Sequence, residues 1–183
     1  MIHIIGLDCG VTGAYCVLNI DGTPVEAACF PLYEKVVKNT RRNTTNPTRV
    51  ERFYDRDSLH KLLGRFSSQS IAYLEKVNAR PGESPITSFK FGDCFGQLKM
   101  VLTALGIPTI EIHPAKWCNA LHDPILREEK VPAKKRSKEA FLRLFPAVAQ
   151  GRRSTHPGII DAFLIAEYGR RRINQGLDTL GAQ

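Results

Sequence analysis

The chain reads as an α/β fold, and three observations predict it. An apolar run at residues 2–7 ends on Asp8, with Gly10 and Gly13 just beyond, as a buried strand does when it enters a sharp turn. Apolar segments at 14–20 and 25–30, parted by the turn pair Asp21-Gly22, extend that strand into a three-stranded meander. Leu59, Leu62, Leu63 and Phe66 then mark an amphipathic helix, and another apolar run follows at 70–77. Meander, helix and strand in that order return the new strand parallel to the first.

Taken in order, the remaining segments support this reading. Residues 31–56 are polar and carry Lys35, Lys38, Arg41, Arg42, Arg49 and Arg52, which predicts an irregular surface excursion. Asp57 is the expected N-cap of the helix that follows. Residues 78–88 read as a loop, and a long helix is expected over 89–105. Its Phe91, Phe95, Leu98 and Leu102 share an apolar face, and its Gly92 and Gly96 permit close backbone approach. Gly106 and Pro108 stop it, and 109–113 is a short last strand. Pro114 opens another helix with Lys116 and Trp117 in its first turn, the tryptophan facing the core. A charged loop leads to Lys134-Lys135-Arg136-Ser137-Lys138 and a helix ending at Phe145-Pro146. The last helix spans 157–173, with Asp161 in its first turns and Arg170, Arg171 and Arg172 placed to complement its C-terminal dipole.

Length and composition limit the classes available. At 183 residues the expectation is one domain over 1–183, and 43% hydrophobic content suffices for a core without disulfide or metal staples. No apolar run reaches membrane-spanning length, and the N-terminal residues lack the pattern of a signal peptide. Five cysteines, an odd number with no Cys-x-x-Cys pair, argue against a zinc ribbon or disulfide scaffold and fit a reducing cytoplasm. A net charge of +8 favours a polyanionic partner, of which nucleic acid is the commonest.

The chemistry concentrates in three carboxylates. Parallel neighbours would deliver Asp8 and Glu75 to the same carboxyl edge of the sheet, where open α/β sheets place their sites. Asp161 sits on a helix that can pack across that edge. Like charges so close repel one another and partly protonate unless cations bind. A set of hard oxygen donors suits Mg²⁺ or Mn²⁺, completed by water and a substrate phosphate. Two such ions can serve phosphodiester hydrolysis.

At this point the sequence resembles the RuvC-like Holliday junction resolvases of the ribonuclease H superfamily. The matching pieces, in order, are I-I-G-L-D-C-G-V-T-G, I-A-Y-L-E-K-V and F-G-D-C-F-G-Q-L, then H-P-A-K-W, K-K-R-S-K-E-A and I-I-D-A-F-L-I-A-E-Y-G. The resemblance implies a five-stranded mixed sheet flanked by helices on both faces. It also implies a homodimer and divalent-metal cleavage of four-way DNA, with about two ions per site. Asp8, Glu75 and Asp161 take the catalytic and metal-binding positions, and Lys138 best fits a lysine that contacts the scissile phosphate. Arg41, Arg42, Arg80, Lys116, Lys134 and Lys135 are candidates for DNA-backbone contacts.

Helix 89–105 is the expected dimer seam, through Phe91, Gly92, Phe95 and Gly96, and either Phe89 or Phe91 is expected to be exposed. The sequence departs from the family in two places. The position three before Asp161, commonly acidic or histidine, is Gly158, so His156 becomes the candidate fourth ligand. Some members carry an aromatic just after the catalytic glutamate, where this chain has Asn78. Rival readings are a ribonuclease H acting on RNA–DNA hybrids, an actin-like phosphate loop at Asp8-x-Gly10, and a non-catalytic basic DNA-binding module.

Overall fold

The computed structural model describes residues 2–38, 47–78, 82–150 and 156–179. In chain order the strands and helices begin with the meander β1 (His3–Asp8), β2 (Ala14–Asn19) and β3 (Pro24–Cys29). Next come β4 (Leu32–Lys38), β5 (Thr48–Tyr54), α1 (Arg56–Gly64), β6 (Ser70–Glu75) and α2 (Pro85–Ala104). The chain continues through β7 (Thr109–Ile112), α3 (Pro114–Leu121), α4 (Pro124–Glu128), α5 (Ala133–Leu144), α6 (Pro146–Gln150) and α7 (Pro157–Asn174). The main sheet has five strands in the order β3-β2-β1-β6-β7, with β1 and β2 antiparallel and β6 and β7 parallel to β1. It is the expected mixed α/β sheet. Among the described residues, no helix is long and apolar enough to cross a membrane.

Strand alternation divides the core into two layers. Ile5, Leu7, Ala72 and Leu74 face α1 and α2, whereas Ile4, Ile71 and Tyr73 face α3, α5 and α7. Helices therefore cover both faces. The same period of two continues to the strand ends, so Asp8 (two residues after Gly6) and Glu75 (two after Tyr73) point to the α7 face. Leu7 pairs with Leu74, which sets Asp8 and Glu75 side by side at the edge. Gly6 lets α7 come down onto β1: a Cβ there would strike the backbone of Ala162 and Ala166.

Four local expectations change. Residues 31–56 are not irregular, because β4 and β5 form a separate two-stranded antiparallel sheet. Its polar sequence reflects two exposed faces, held by a Tyr33–Phe53 ring stack at 5.4 Å and an Arg52–Glu34 ion pair at 2.9 Å. Asp55 rather than Asp57 caps α1, its carboxylate accepting from the Ser58 N–H, while Asp57 lies in the first turn and favours the dipole. The long helix starts at Pro85, four residues before the expected 89, because Ser84 caps it and Pro85 occupies N1. The charged loop after α3 also contains the short α4, capped by Asp123.

Candidate active site

Asp8, Glu75 and Asp161 come from β1, β6 and α7, and the packing of α7 on β1 brings them together electrostatically. Burial raises the Asp8 carboxyl well above its ordinary range, and the negative charges of Glu75 and then Asp161 raise it further. Burial raises Asp161 too, while a hydrogen bond from Ser137 and the positive charge of Lys134 pull it down. Asp161 Oδ1 is buried with no hydrogen-bond partner among the described residues. Among the described residues no group of three or more His, Cys, Asp or Glu side chains is arranged to hold a metal ion as it stands. The donor chemistry nonetheless fits a hard divalent cation. The charges of Glu75 and Asp161 raise the proton affinity of Asp8, and an oxygen of Asp161 lacks a hydrogen-bond partner among the described residues.

Two of the carboxylates are steadied from behind. Trp117 is 3% exposed, and its Nε1 donates to Glu75 Oε1 at 2.9 Å. The Trp117 ring meets His122 edge-on, and His122 Nε2 lies 3.2 Å from Ser137 Oγ. Burial, then Arg136 and Arg143, hold His122 below its ordinary pKa, so its imidazole is neutral. His122 Nδ1 is buried without a hydrogen-bond partner among the described residues. Trp117, His122 and Ser137 thus link the surroundings of Glu75 and Asp161 through the interior of α3 and α5. The sequence reading placed Trp117 in the core but missed its bond to Glu75. The available clue was chemical: a buried indole carries one N–H that must find an acceptor.

The turn after Asp8 is equally constrained. Gly10 has φ +134, and the buried Tyr54 hydroxyl accepts from Gly10 N–H at 3.1 Å and donates to Gly10 C=O at 2.9 Å. At the start of α7, a Cβ on Gly158 would lie 2.9 Å from Asp8 Oδ2 and 2.8 Å from the Thr12 carbonyl. That crowding explains why the position three before Asp161 carries no ligating side chain here. His156 is the N-cap of α7, its Nδ1 accepting from Gly158 N–H at 3.2 Å, which commits that nitrogen to the helix end.

The basic candidates separate. Lys134 is the cation that acts on Asp161. Lys138 instead lines a cleft of about 670 Å³ with Lys135, Asp123, Glu139 and Arg143, which contains none of the three carboxylates. Lys116 is exposed on α3 and helps to hold the Asp178 carboxyl low, behind Arg172 and Tyr73. Arg41, Arg42 and Arg80 lie outside the described residues. A second cleft of about 460 Å³ opens beside Glu75, lined by Cys9, Lys76, Asn78, Glu83, Phe91 and His113 among others. Arg170 and Arg171 pair with the buried Glu167, at 2.7 and 2.8 Å, and Arg172 pairs with Asp178 at 2.6 Å.

No protein-family model and no curated protein sequence matches the chain. Solved structures do. Thermus thermophilus RuvC in complex with a Holliday junction substrate aligns with a TM-score of 0.60 at 13% identity, over 97% of this chain and 98% of that one. A further structure of Thermus thermophilus RuvC aligns with a TM-score of 0.58 at 16% identity, over 96% of this chain and 98% of that one. At such identities the likeness speaks for the fold: the chain has the ribonuclease H-like fold of RuvC along nearly its whole length.

Proposed function

We propose that the protein is a divalent-metal-dependent endonuclease that resolves four-way or otherwise branched DNA. The observation that carries this reading is the convergence of Asp8, Glu75 and Asp161 at one sheet edge, on the fold of RuvC. A basic chain with such a carboxylate set is suited to a phosphodiester, whose charge both the metal and the lysines would meet.

Asp8, Glu75 and Asp161 would hold Mg²⁺ or Mn²⁺, about two ions per site, which when bound supply an activated water and stabilise the leaving oxygen. Trp117 and Ser137 keep Glu75 and Asp161 from swinging away before the metal arrives. Lys134, beside Asp161, is the lysine this reading assigns to the scissile phosphate, in preference to Lys138. Lys135, Lys138 and Lys116, together with Arg41, Arg42 and Arg80, remain proposed contacts to the DNA backbone. His156 serves this reading as the cap that presents the N-terminus of α7 to Asp8, and only its Nε2 remains for a metal.

Two opposed strands must be cut, so the reading includes a two-fold dimer. Helix α2 supplies the proposed seam, with a revised stripe. Phe91 packs over Gly10 and Phe95 is half-buried, whereas Phe89 (78% exposed), Gly92, Gly96 and Met100 (69% exposed) run along the open side.

The deciding experiment is cleavage of a synthetic four-way junction with Mg²⁺, against linear duplex and RNA–DNA hybrid. Nicking of the junction that disappears in Asp8→Asn and Glu75→Gln, with junction binding retained, is the expected result. Preferential cutting of the hybrid would move the assignment to a ribonuclease H. Unchanged cutting by Asp8→Asn would remove the carboxylates from the chemistry altogether.

A further inference from the structure

The β4–β5 hairpin stands apart from the main sheet, yet both of its roots close on the turn that follows Asp8. On the entry side, Phe30 at the end of the meander donates its N–H to Gly13 C=O at 3.4 Å. On the exit side, Tyr54 ends β5 with a side chain only 1% exposed, its hydroxyl bonded to both the N–H and the C=O of Gly10. The two rings meet edge to face with centroids 5.3 Å apart, and Asp55 N–H closes the base of the hairpin on Pro31 C=O at 3.0 Å. The turn itself holds one internal bond, from Gly13 N–H to Gly10 C=O at 2.8 Å. Gly10 C=O therefore has a second partner if the tyrosine hydroxyl is lost, whereas among the described residues Gly10 N–H has only the hydroxyl.

We infer that Tyr54 is a positioning residue, whose hydroxyl fixes the turn after Asp8 and fastens the β4–β5 hairpin to the active site. The physical case is one of freedom removed. Gly10 occupies a φ that only glycine adopts readily, and glycine has many alternatives to it. Such a turn needs an external clamp to present the preceding carboxylate in one orientation. A phenol that both donates and accepts is suited to gripping a single peptide N–H and C=O. Small displacements at a metal-binding carboxylate have large effects on rate, because the productive geometry is narrow.

The hairpin also carries Lys35, Lys38, Arg49 and Arg52 on strands that project from the catalytic turn. Tyr54 is one of the links by which a contact between those strands and the DNA backbone would reach the turn after Asp8. The inference rests on the nuclease reading above.

Tyr54→Phe tests it, because the ring and its packing against Phe30 remain while the hydroxyl goes. The expected result is a fall of tenfold or more in the single-turnover cleavage rate at saturating four-way junction and Mg²⁺. Junction affinity should stay within about twofold of the parent. Tyr33→Phe, which removes a hydroxyl from an exposed tyrosine of the same hairpin, should leave both quantities unchanged.

A cleavage rate within twofold of the parent in Tyr54→Phe would overturn the inference, as would a loss of affinity with unchanged cleavage per bound complex. A parent protein that cuts no branched DNA would instead refute the nuclease reading. Amide exchange at Gly10 gives a reading independent of cleavage. Protection in the parent comparable to the β1 interior, lost locally in Tyr54→Phe, is expected, and exchange at loop rates in the parent would also overturn the inference.

Discussion

Each polar atom near the three carboxylates has a specific task, and single substitutions can separate those tasks. Trp117→Phe keeps the buried ring and removes only the N–H that Glu75 accepts. Loss of such an outer partner typically costs about 10–100-fold in activity or metal affinity. The expected outcome is a junction-cleavage rate in that range with near-parent binding, checked by rate against Mg²⁺ concentration. His156→Ala removes an N-cap rather than a principal ligand, since Nδ1 is already bonded to Gly158 N–H. It should cost about 1 kcal/mol of stability in urea unfolding and less than about threefold in rate. A large loss that excess Mn²⁺ restores would instead make its other nitrogen a ligand. The placement of Asp8, Glu75 and Asp161 at strand and helix ends was legible in the sequence because carboxylates there stand out from an apolar background. Ser137, His122 and Tyr54 were not, since a hydroxyl or imidazole acquires meaning only from what it faces.

At the level of elements, the approach of α7 to β1 and the open side of α2 are the two features with sharp consequences. Gly6→Val would place a branched side chain where the α7 backbone already lies. Overpacking of this kind costs about 1–3 kcal/mol or more. Urea unfolding should show at least that loss, and cleavage should fall with it because Asp161 rides on α7. On α2, Gly92 and Gly96 face open space. Gly96→Glu should therefore not lower the melting temperature, since glutamate is the better helix former. It should abolish the proposed dimer, read by sedimentation as a monomer. A dimer that persists would move the seam elsewhere. The longer helices and main strands were readable from apolar periodicity, whereas the β4–β5 hairpin was hidden because neither of its faces is fully buried.

For the whole molecule, the raised Asp8 and Asp161 carboxyls link stability to pH and to metal. A carboxyl with a folded-state pKa above its unfolded value favours the native state in its protonated form. Its contribution is fully present below the unfolded pKa and is lost as pH rises through the folded pKa. The metal-free protein should thus lose stability as pH rises from the ordinary carboxylate range through the folded-state pKa of these groups. Mg²⁺ or Mn²⁺ should reverse that loss, raising the melting temperature more at pH 7.5 than at pH 5 on the order of magnitudes set by mass action. Scanning calorimetry at the two pH values checks this, and an equal shift at both would separate metal binding from these carboxyls. Cleavage should likewise rise with pH above the ordinary carboxylate range, as Asp8 gives up its proton.

By itself the sequence determined the α/β class, the parallel return of β6 beside β1 and the delivery of Asp8 and Glu75 to a common edge. These follow from local periodicity: alternation by two assigns each strand residue to a face, and apolar stripes assign each helix a buried side. Only the tertiary structure decided that the charge of Lys134 acts on Asp161, and that a Cβ at Gly158 would crowd Asp8 and the Thr12 carbonyl. It also decided that a tyrosine from a separate hairpin bonds the Gly10 peptide in the turn after Asp8. Such outcomes depend on the rotation of one helix and the docking of one hairpin. Rotations and dockings are set by the sum of contacts among segments far apart in the chain, which no local pattern records.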